Sequence, residues 1–334
     1  MSFKADPKQN GWVRMGAALL AATLLASCGG GTQVERFVPR RLLSFGDEAS
    51  VLTTTNQKYS VSAVVYDTTT NPPTPKTDLD CSNNPIWIQM VAGTFGLVFG
   101  SCSVSGATPT AFTFAAPQAG VNDVASQITQ FTSGDSLSNK DLVTLQAGAN
   151  DIIALYQQYP GQGASELQAA AAAAGNALGA QVIRLADLGA KVVIATAPDM
   201  GLTPYAVNED TNNGGGRAAL LTALSFQFNA ALRLKLEDVK DGGKSVGLVV
   251  FDERLQDMVR NYPNYGLVNN NTAACLTTAA LPNCTVTTLK KVPESGTVDA
   301  TAYGWLWADN LHFGPAAHSQ LGSMAASRAV NNPF

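Results

Sequence analysis

Three apolar runs that do not alternate with polar residues constrain this chain more than any other feature. They are Leu142-Val143-Thr144-Leu145, Lys191–Ala195 (KVVIA) and Val246–Phe251 (VGLVVF). A strand with one face in water alternates, whereas a strand apolar on both faces has to be covered on both. The stretches between these runs supply that cover. Val121–Phe131, Ser165–Leu188 and residues 217–237 read as helices, and the alanine run of the second is strong helix propensity rather than a linker. Strands alternating with helices build a parallel sheet, so a three-layer α/β domain is expected. Arg41–Phe45 adds a strand that runs into a turn at Gly46-Asp47, and Tyr59–Tyr66 suits another in a segment ending at the Pro-rich turn at 72–75. Pro85–Leu97 has helical spacing, and Pro315–Val330 reads as a terminal helix. The run Asn213-Gly214-Gly215-Gly216 before the helix at 217 has no Lys-Ser/Thr after it, so it reads as a plain loop rather than a phosphate cradle. No internal repeat and no boundary between two domains is visible.

Composition removes several classes. Only 14% of residues are charged against 46% hydrophobic, which excludes a disordered chain. No uncharged apolar run approaches the roughly 20 residues of a spanning helix, which excludes a polytopic membrane protein. Lys plus Arg number 21 against 25 acids, so there is no basic surface for nucleic acid.

The amino terminus sets the expected compartment. Lys4, Lys8 and Arg14 precede an uncharged stretch, Met15–Ala26, that is too short to span a bilayer. It ends at Leu25-Ala26-Ser27-Cys28, followed by three glycines. This resembles the lipobox of bacterial lipoproteins, which implies a signal peptide over 1–27, lipidation of Cys28 and a tether over 28–40. Gly29 after the cysteine resembles an outer-membrane sorting signal. The expected location is therefore the cell envelope, at the outer membrane, with the membrane met through a lipid anchor. Loss of residues 1–27, which hold three basic residues and one acid, leaves a net charge of −6. With Cys28 lipidated, four cysteines remain in an oxidising compartment. Of the three possible pairings, Cys81–Cys102 and Cys275–Cys284 are favoured, because each closes a short segment that reads as a surface insertion. A zinc site is the rival, but there is no CxxC spacing and both histidines lie elsewhere.

Ligands of open parallel sheets sit at the carboxyl ends of strands. Three blocks fall at such ends or in loops able to reach them: Phe45-Gly46-Asp47-Glu48-Ala49-Ser50, Gly148-Ala149-Asn150-Asp151 and Asp309-Asn310-Leu311-His312-Phe313-Gly314. In this order and spacing they resemble the SGNH (GDSL) hydrolase family over residues 41–334, bar an insertion near 52–80. The resemblance implies a flavodoxin-like, mostly parallel sheet, hydrolysis of ester (acyl or acetyl) bonds and no cofactor. It implies His312 as general base, Asp309 as the carboxylate that orients it, and Asn150 as a side-chain donor of the oxyanion hole. Small-molecule, lipid or acylated-glycan esters are the implied substrates.

Two positions depart from the family pattern. The nucleophilic serine should follow Gly46-Asp47, and that residue is Glu48. A carboxylate there can activate a water, whereas its direct attack on an acyl carbon gives a high-energy anhydride. Ser50 serves instead if the turn shifts by two residues. Near Phe114–Ala119 the oxyanion glycine is replaced by Pro117 or Gln118, unless Gly120 substitutes by a register shift. Gly134-Asp135-Ser136-Leu137 spells the family's eponymous tetrapeptide, but it follows a helix rather than a strand, so Ser136 reads as a loop residue. The alternative to an atypical hydrolase is an inactive binding module that keeps the pocket. A metal site from Glu48, Asp309 and His312 has no diagnostic spacing.

Overall fold

The computed structural model describes residues 37–102, 107–240, 242–291 and 302–331. Cys28, the signal segment 1–27 and the tether as far as residue 36 lie outside the described residues.

The chain enters β1 (Arg41–Gly46), makes a short turn at Glu48–Ser50, and forms an antiparallel hairpin from β2 (Ala63–Asp67) and β3 (Thr74–Asp80). Then follow α1 (Trp87–Thr94), β4 (Ala111–Thr113), α2 (Val121–Gly134), β5 (Asp141–Gln146) and α3 (Ala149–Tyr156). Next come α4 (Ala164–Asp187), β6 (Lys191–Ala195), α5 (Pro204–Asn213), α6 (Arg217–Leu236), β7 (Val246–Val249) and α7 (Phe251–Arg260). A two-stranded pair, β8 (Asn269–Ala273) and β9 (Trp305–Trp307), precedes α8 (Pro315–Asn331). Among the described residues no helix is long and apolar enough to cross a membrane.

The central sheet has the order β4-β1-β5-β6-β7 and is parallel throughout. Counting only these strands in chain order gives 2-1-3-4-5, the flavodoxin-like order, whose topological switch lies between the first and third. Here those are β1 and β5, paired from Arg41↔Asp141 to Gly46↔Gln146.

The unalternated runs have their explanation in the core. Leu43, Phe45, Val143, Leu145, Val192 and Ile194 face one layer, with α2, α4 and α6. Leu42, Leu142, Val193, Ala195 and Val249 face the other, with α1, α7 and α8. The apolar residues of these strands thus divide between the two helical layers.

Two expectations differ from the structure, and one helix was not expected. Tyr59–Tyr66 is strand only from Ala63, and Tyr59 turns toward the end of the sheet. The run Val246–Phe251 leaves the sheet after Val249, and buried Phe251 opens α7 with Leu255 and Met258 on the same face. Helix α5 went unread although its start is marked: Thr203 accepts from the Ala206 N–H at 3.2 Å, with Pro204 at the first helical position.

The two disulfides join Cys81 to Cys102 and Cys275 to Cys284. Lys58 is tied to the first of them. Its ammonium is fully buried, and it donates to the carbonyls of Cys81, Asn83 and Asn84 at 2.9, 2.9 and 3.0 Å. Burial pushes its pKa down to about 8, against a smaller opposing pull from Asp80.

Candidate active site

Strand β1 delivers its last residues to the switch point by way of Gly46, whose φ is +139°. A β-carbon there would lie 2.0 Å from the Gln146 carbonyl oxygen, so only glycine lets β1 and β5 run this close. The Gln127 side chain on α2 grips the same peptide, its Oε1 accepting from the Gly46 N–H and its Nε2 donating to the Gly46 carbonyl, both at 2.9 Å. Asp47 then caps the turn by accepting from the Ala49 N–H at 3.1 Å. Burial, followed by the charge of Glu48, pushes the Asp47 pKa up to about 8.

Glu48 is buried at the cavity floor. Its Oε1 accepts from the backbone N–H of Gln118, and its Oε2 accepts from Asn150 Nδ2 at 2.9 Å. Each donor is held from behind. The segment after β4 is laced to β1 by Phe114 N–H to Ser44 O at 2.8 Å and Ala116 N–H to Gly46 O at 3.1 Å. Gln118 itself has φ +61°, the left-handed conformation that a glycine would adopt without penalty. Asn150 stands in the first turn of α3 and makes a second bond to Ala119 O at 3.1 Å. Its neighbour Asp151 accepts the Val121 N–H at 3.1 Å with both oxygens, fixing the start of α2. Of residues 117–120, Gln118 is the one whose N–H meets Glu48. Gly120 caps α2 and donates its N–H to Asp123 at 2.9 Å, away from Glu48, and Pro117 has no N–H to give.

The third block forms a tight loop before α8. Asp309 Oδ1 accepts the N–H groups of Leu311 and His312 at 2.8 Å each, and the carboxylate takes His312 Nδ1 at 2.9 and 2.8 Å. One carboxylate therefore both builds the loop and orients the imidazole. With Nδ1 committed, Nε2 is the nitrogen left for chemistry. Burial alone would lower the His312 pKa, but Asp309, with Glu48 and Asp47 behind it, raises it above its ordinary value. Burial likewise opposes ionisation of Asp309, and its bonds with His312 and Leu311 hold its pKa down. A carboxylate–imidazole couple of this kind is the base half of a hydrolytic triad.

The structure thus brings Glu48, Asn150 and His312 into the lining of one cavity, with Asp309 directly behind. It keeps the other two serines out. Ser50 is fully buried, and its Oγ accepts from Trp87 Nε1 at 3.1 Å. Ser136 is bonded through its carbonyl to Arg41, which opens β1 and pairs with Asp135 and Asp141 at 2.6 Å. That is the opposite end of the strand, roughly 17 Å from Gly46 at about 3.3 Å per residue. One contributor had no signal in the sequence, and the other was one of the candidates for the glycine position. Tyr59 lines the cavity with its ring 5.9 Å from that of His312. Gln118 acts through its backbone, which carries no side-chain signal. Among the described residues no three His, Cys, Asp or Glu side chains converge to hold a metal.

A flavodoxin-like sheet with a His–Asp pair and two convergent donors at its switch point is the arrangement that the SGNH (GDSL) resemblance implies. Residues 49–324 match the family described as GDSL-like Lipase/Acylhydrolase, and the chain belongs to it. The match begins one residue after Glu48. A phosphatidylcholine-sterol acyltransferase of Aeromonas hydrophila is 26% identical over 197 residues, covering 58% of this chain and 54% of that protein. The chain thus spans about half the length of the curated relative it matches. An acetylxylan esterase of Geobacillus stearothermophilus aligns with a TM-score of 0.43 at 12% identity, covering 88% of this chain and 96% of that one. An alpha/beta hydrolase from the metagenome of Lake Arreo, Spain, aligns with a TM-score of 0.41 at 12% identity, covering 88% and 97%.

Proposed function

We propose that this chain is an exported, lipid-anchored hydrolase of ester bonds, acyl or acetyl, with Glu48 standing where the nucleophile belongs. One observation carries the reading: His312 with Asp309, and the paired donors of Gln118 and Asn150, surround the residue that follows the β1 turn. Glu48 now occupies both donors. In this reading it swings off them when substrate enters, and the ester carbonyl oxygen takes its place. His312 Nε2 accepts a proton from an attacking water and passes it to the leaving alcohol, while Asp309 balances the imidazolium. Water rather than the carboxylate attacks, because a Glu48 adduct would be an anhydride. Turnover is slow, since Glu48 competes for the donors that the tetrahedral intermediate needs.

The test is hydrolysis of short-chain aryl esters by the native protein. Slow turnover that His312→Ala abolishes supports the reading; turnover indifferent to that change sinks it. The carboxylate seated on both donors also favours a second reading, a binding module at the cell envelope. Absence of turnover both natively and in Glu48→Ser would establish that alternative. The anchor proposal rests on the Cys28 sequence alone. It expects partition of the native protein into detergent and loss of that partition in Cys28→Ala.

A further inference from the structure

The insertion near 52–80 does more than decorate the fold, because it sends one side chain into the cavity. That residue is Tyr59, and both of its neighbours are anchored. Lys58 is buried, with its ammonium on the three carbonyls of Cys81, Asn83 and Asn84. Ser60 is buried as well, and its Oγ donates to the Phe313 carbonyl at 2.9 Å, one residue beyond His312. Two residues further on, the Ser62 N–H bonds to the Cys284 carbonyl at 2.9 Å, beside a disulfide. Anchors on both sides hold the backbone that presents this ring to the cavity.

The space in front of it is small. The cavity measures about 30 Å³, and its apolar wall is made by Ile153, Met200, Leu311 and Tyr59. A single water needs roughly 10–15 Å³ on that measure, so the room is that of two or three small groups. Met200 is unbranched and adaptable, and can yield to a longer chain. Tyr59 is carried on anchored backbone. Burial and the charge of Glu48 raise the phenol's pKa, so the ring meets substrate as a neutral wall.

We infer that Tyr59, clamped by Lys58 and Ser60, sets the length of the acyl group and makes short acyl esters, of about two to four carbons, the substrate class of this site. The inference rests on the ester-hydrolase reading for its reaction, but its test does not depend on turnover. The probes are sodium acetate, butyrate and octanoate, added to the full chain carrying Glu48→Ala, which frees both donors for a carboxylate. Binding is followed by the imidazole resonances of His312. The chain has only one other histidine, His318, and burial lowers its pKa to about 3, so the two are told apart by their titration.

Acetate and butyrate should move the His312 signals, and octanoate should do so only at a concentration at least tenfold higher than butyrate. Adding Tyr59→Ala should improve octanoate by about fourfold for each methylene that the opened wall buries. Tyr59→Phe should leave the order unchanged, because the ring rather than the hydroxyl forms the wall. Octanoate already bound as well as butyrate, or an order that Tyr59→Ala does not alter, would overturn the assignment. So would failure of all three carboxylates to reach His312. Absence of ester turnover in Glu48→Ser would count against the hydrolase reading alone, since the carboxylate selectivity is read without it.

Discussion

Glu48→Ser is the most informative single change. The carboxylate holds two donors, the Gln118 N–H and Asn150 Nδ2, that on the proposed reading an oxyanion would use. Neither donor depends on Glu48 for its position. The Gln118 N–H is aimed by a backbone tied to β1 through Ala116, and Asn150 keeps its bond to Ala119 O. Serine is shorter than glutamate, so the substitution empties the hole without a clash. Each oxyanion donor contributes about 10²–10³ in rate, so two freed donors are worth ~10⁴-fold at the lower end. A serine hydroxyl beside His312 adds to this, and the total is bounded by the roughly 10⁶-fold that losing a triad serine costs. We expect kcat/KM for a short-chain aryl ester to rise about 10⁴-fold. The assay pairs turnover with a serine-directed fluorophosphonate, which should label Glu48→Ser and fail when His312→Ala is added. A gain below about tenfold without labelling, in a variant that melts like the native protein, would refute the assignment of these two groups as oxyanion donors. Labelling of the native protein at Ser50 or Ser136 would refute the placement of the nucleophile itself.

Two further changes read the electrostatics and the clamp. Glu48→Gln should lower the pKa of His312, because the Glu48 charge is one of the contributions that raise it, and should bring Asp47 down from about 8. The sign for stability follows. Between 3.8 and about 8 the native Asp47 holds a proton that the unfolded chain has lost, so this group makes stability fall as pH rises, and Glu48→Gln should flatten that fall. Titration of His312 by NMR and urea melts across that range check both, and unmoved values would be contrary. Lys58→Ala should destabilise the protein by roughly 1–3 kcal/mol, because it leaves the Cys81, Asn83 and Asn84 carbonyls without their donor. A loss below about 1 kcal/mol in urea unfolding would show that water replaces the ammonium without penalty. In the native chain the Lys58 contribution to stability should rise with pH from about 8 to 10.5, where the unfolded state binds the extra proton.

The sheet was legible because its strands are buried on both faces, and that burial writes itself as Leu142–Leu145 and KVVIA without alternation. What escaped was short or marginal. Strand β4 is three residues long and β9 likewise, below any periodicity that a sequence can display. Helix α7 was hidden by the continuity of VGLVVF, which gives no sign that the backbone turns helical at Phe251. The disulfide pairs were legible because short closures were the economical pairing, and both bonds join those partners. Lys58 was not, because nothing in a sequence shows that a lone lysine will find three backbone carbonyls instead of solvent.

At the site, side chains were legible and backbone was not. Asp309, His312 and Asn150 carry their chemistry in their names, whereas the donor of Gln118 is an N–H that every residue but proline has. Only its φ of +61° and the lacing of 114–116 to β1 show why glutamine can stand in a place suited to glycine. The same donors give Glu48 a physical reason to be where it is. With a small side chain at 48, Gln118 N–H and Asn150 Nδ2 face the cavity and depend on water or substrate for acceptors. A glutamate supplies both acceptors within the fold, and hydrogen bonds to a charged group contribute about 1.5–3 kcal/mol each. Part of that gain is offset at Asp47, whose carboxyl is driven up to about 8 by its own burial first and by the Glu48 charge second. Donors preorganised for a transition state are unsatisfied in the resting protein, and filling them stabilises the fold at the expense of the reaction. Glu48 sits on that exchange, which is why one substitution at that position tests the fold's polar balance and the site's chemistry together.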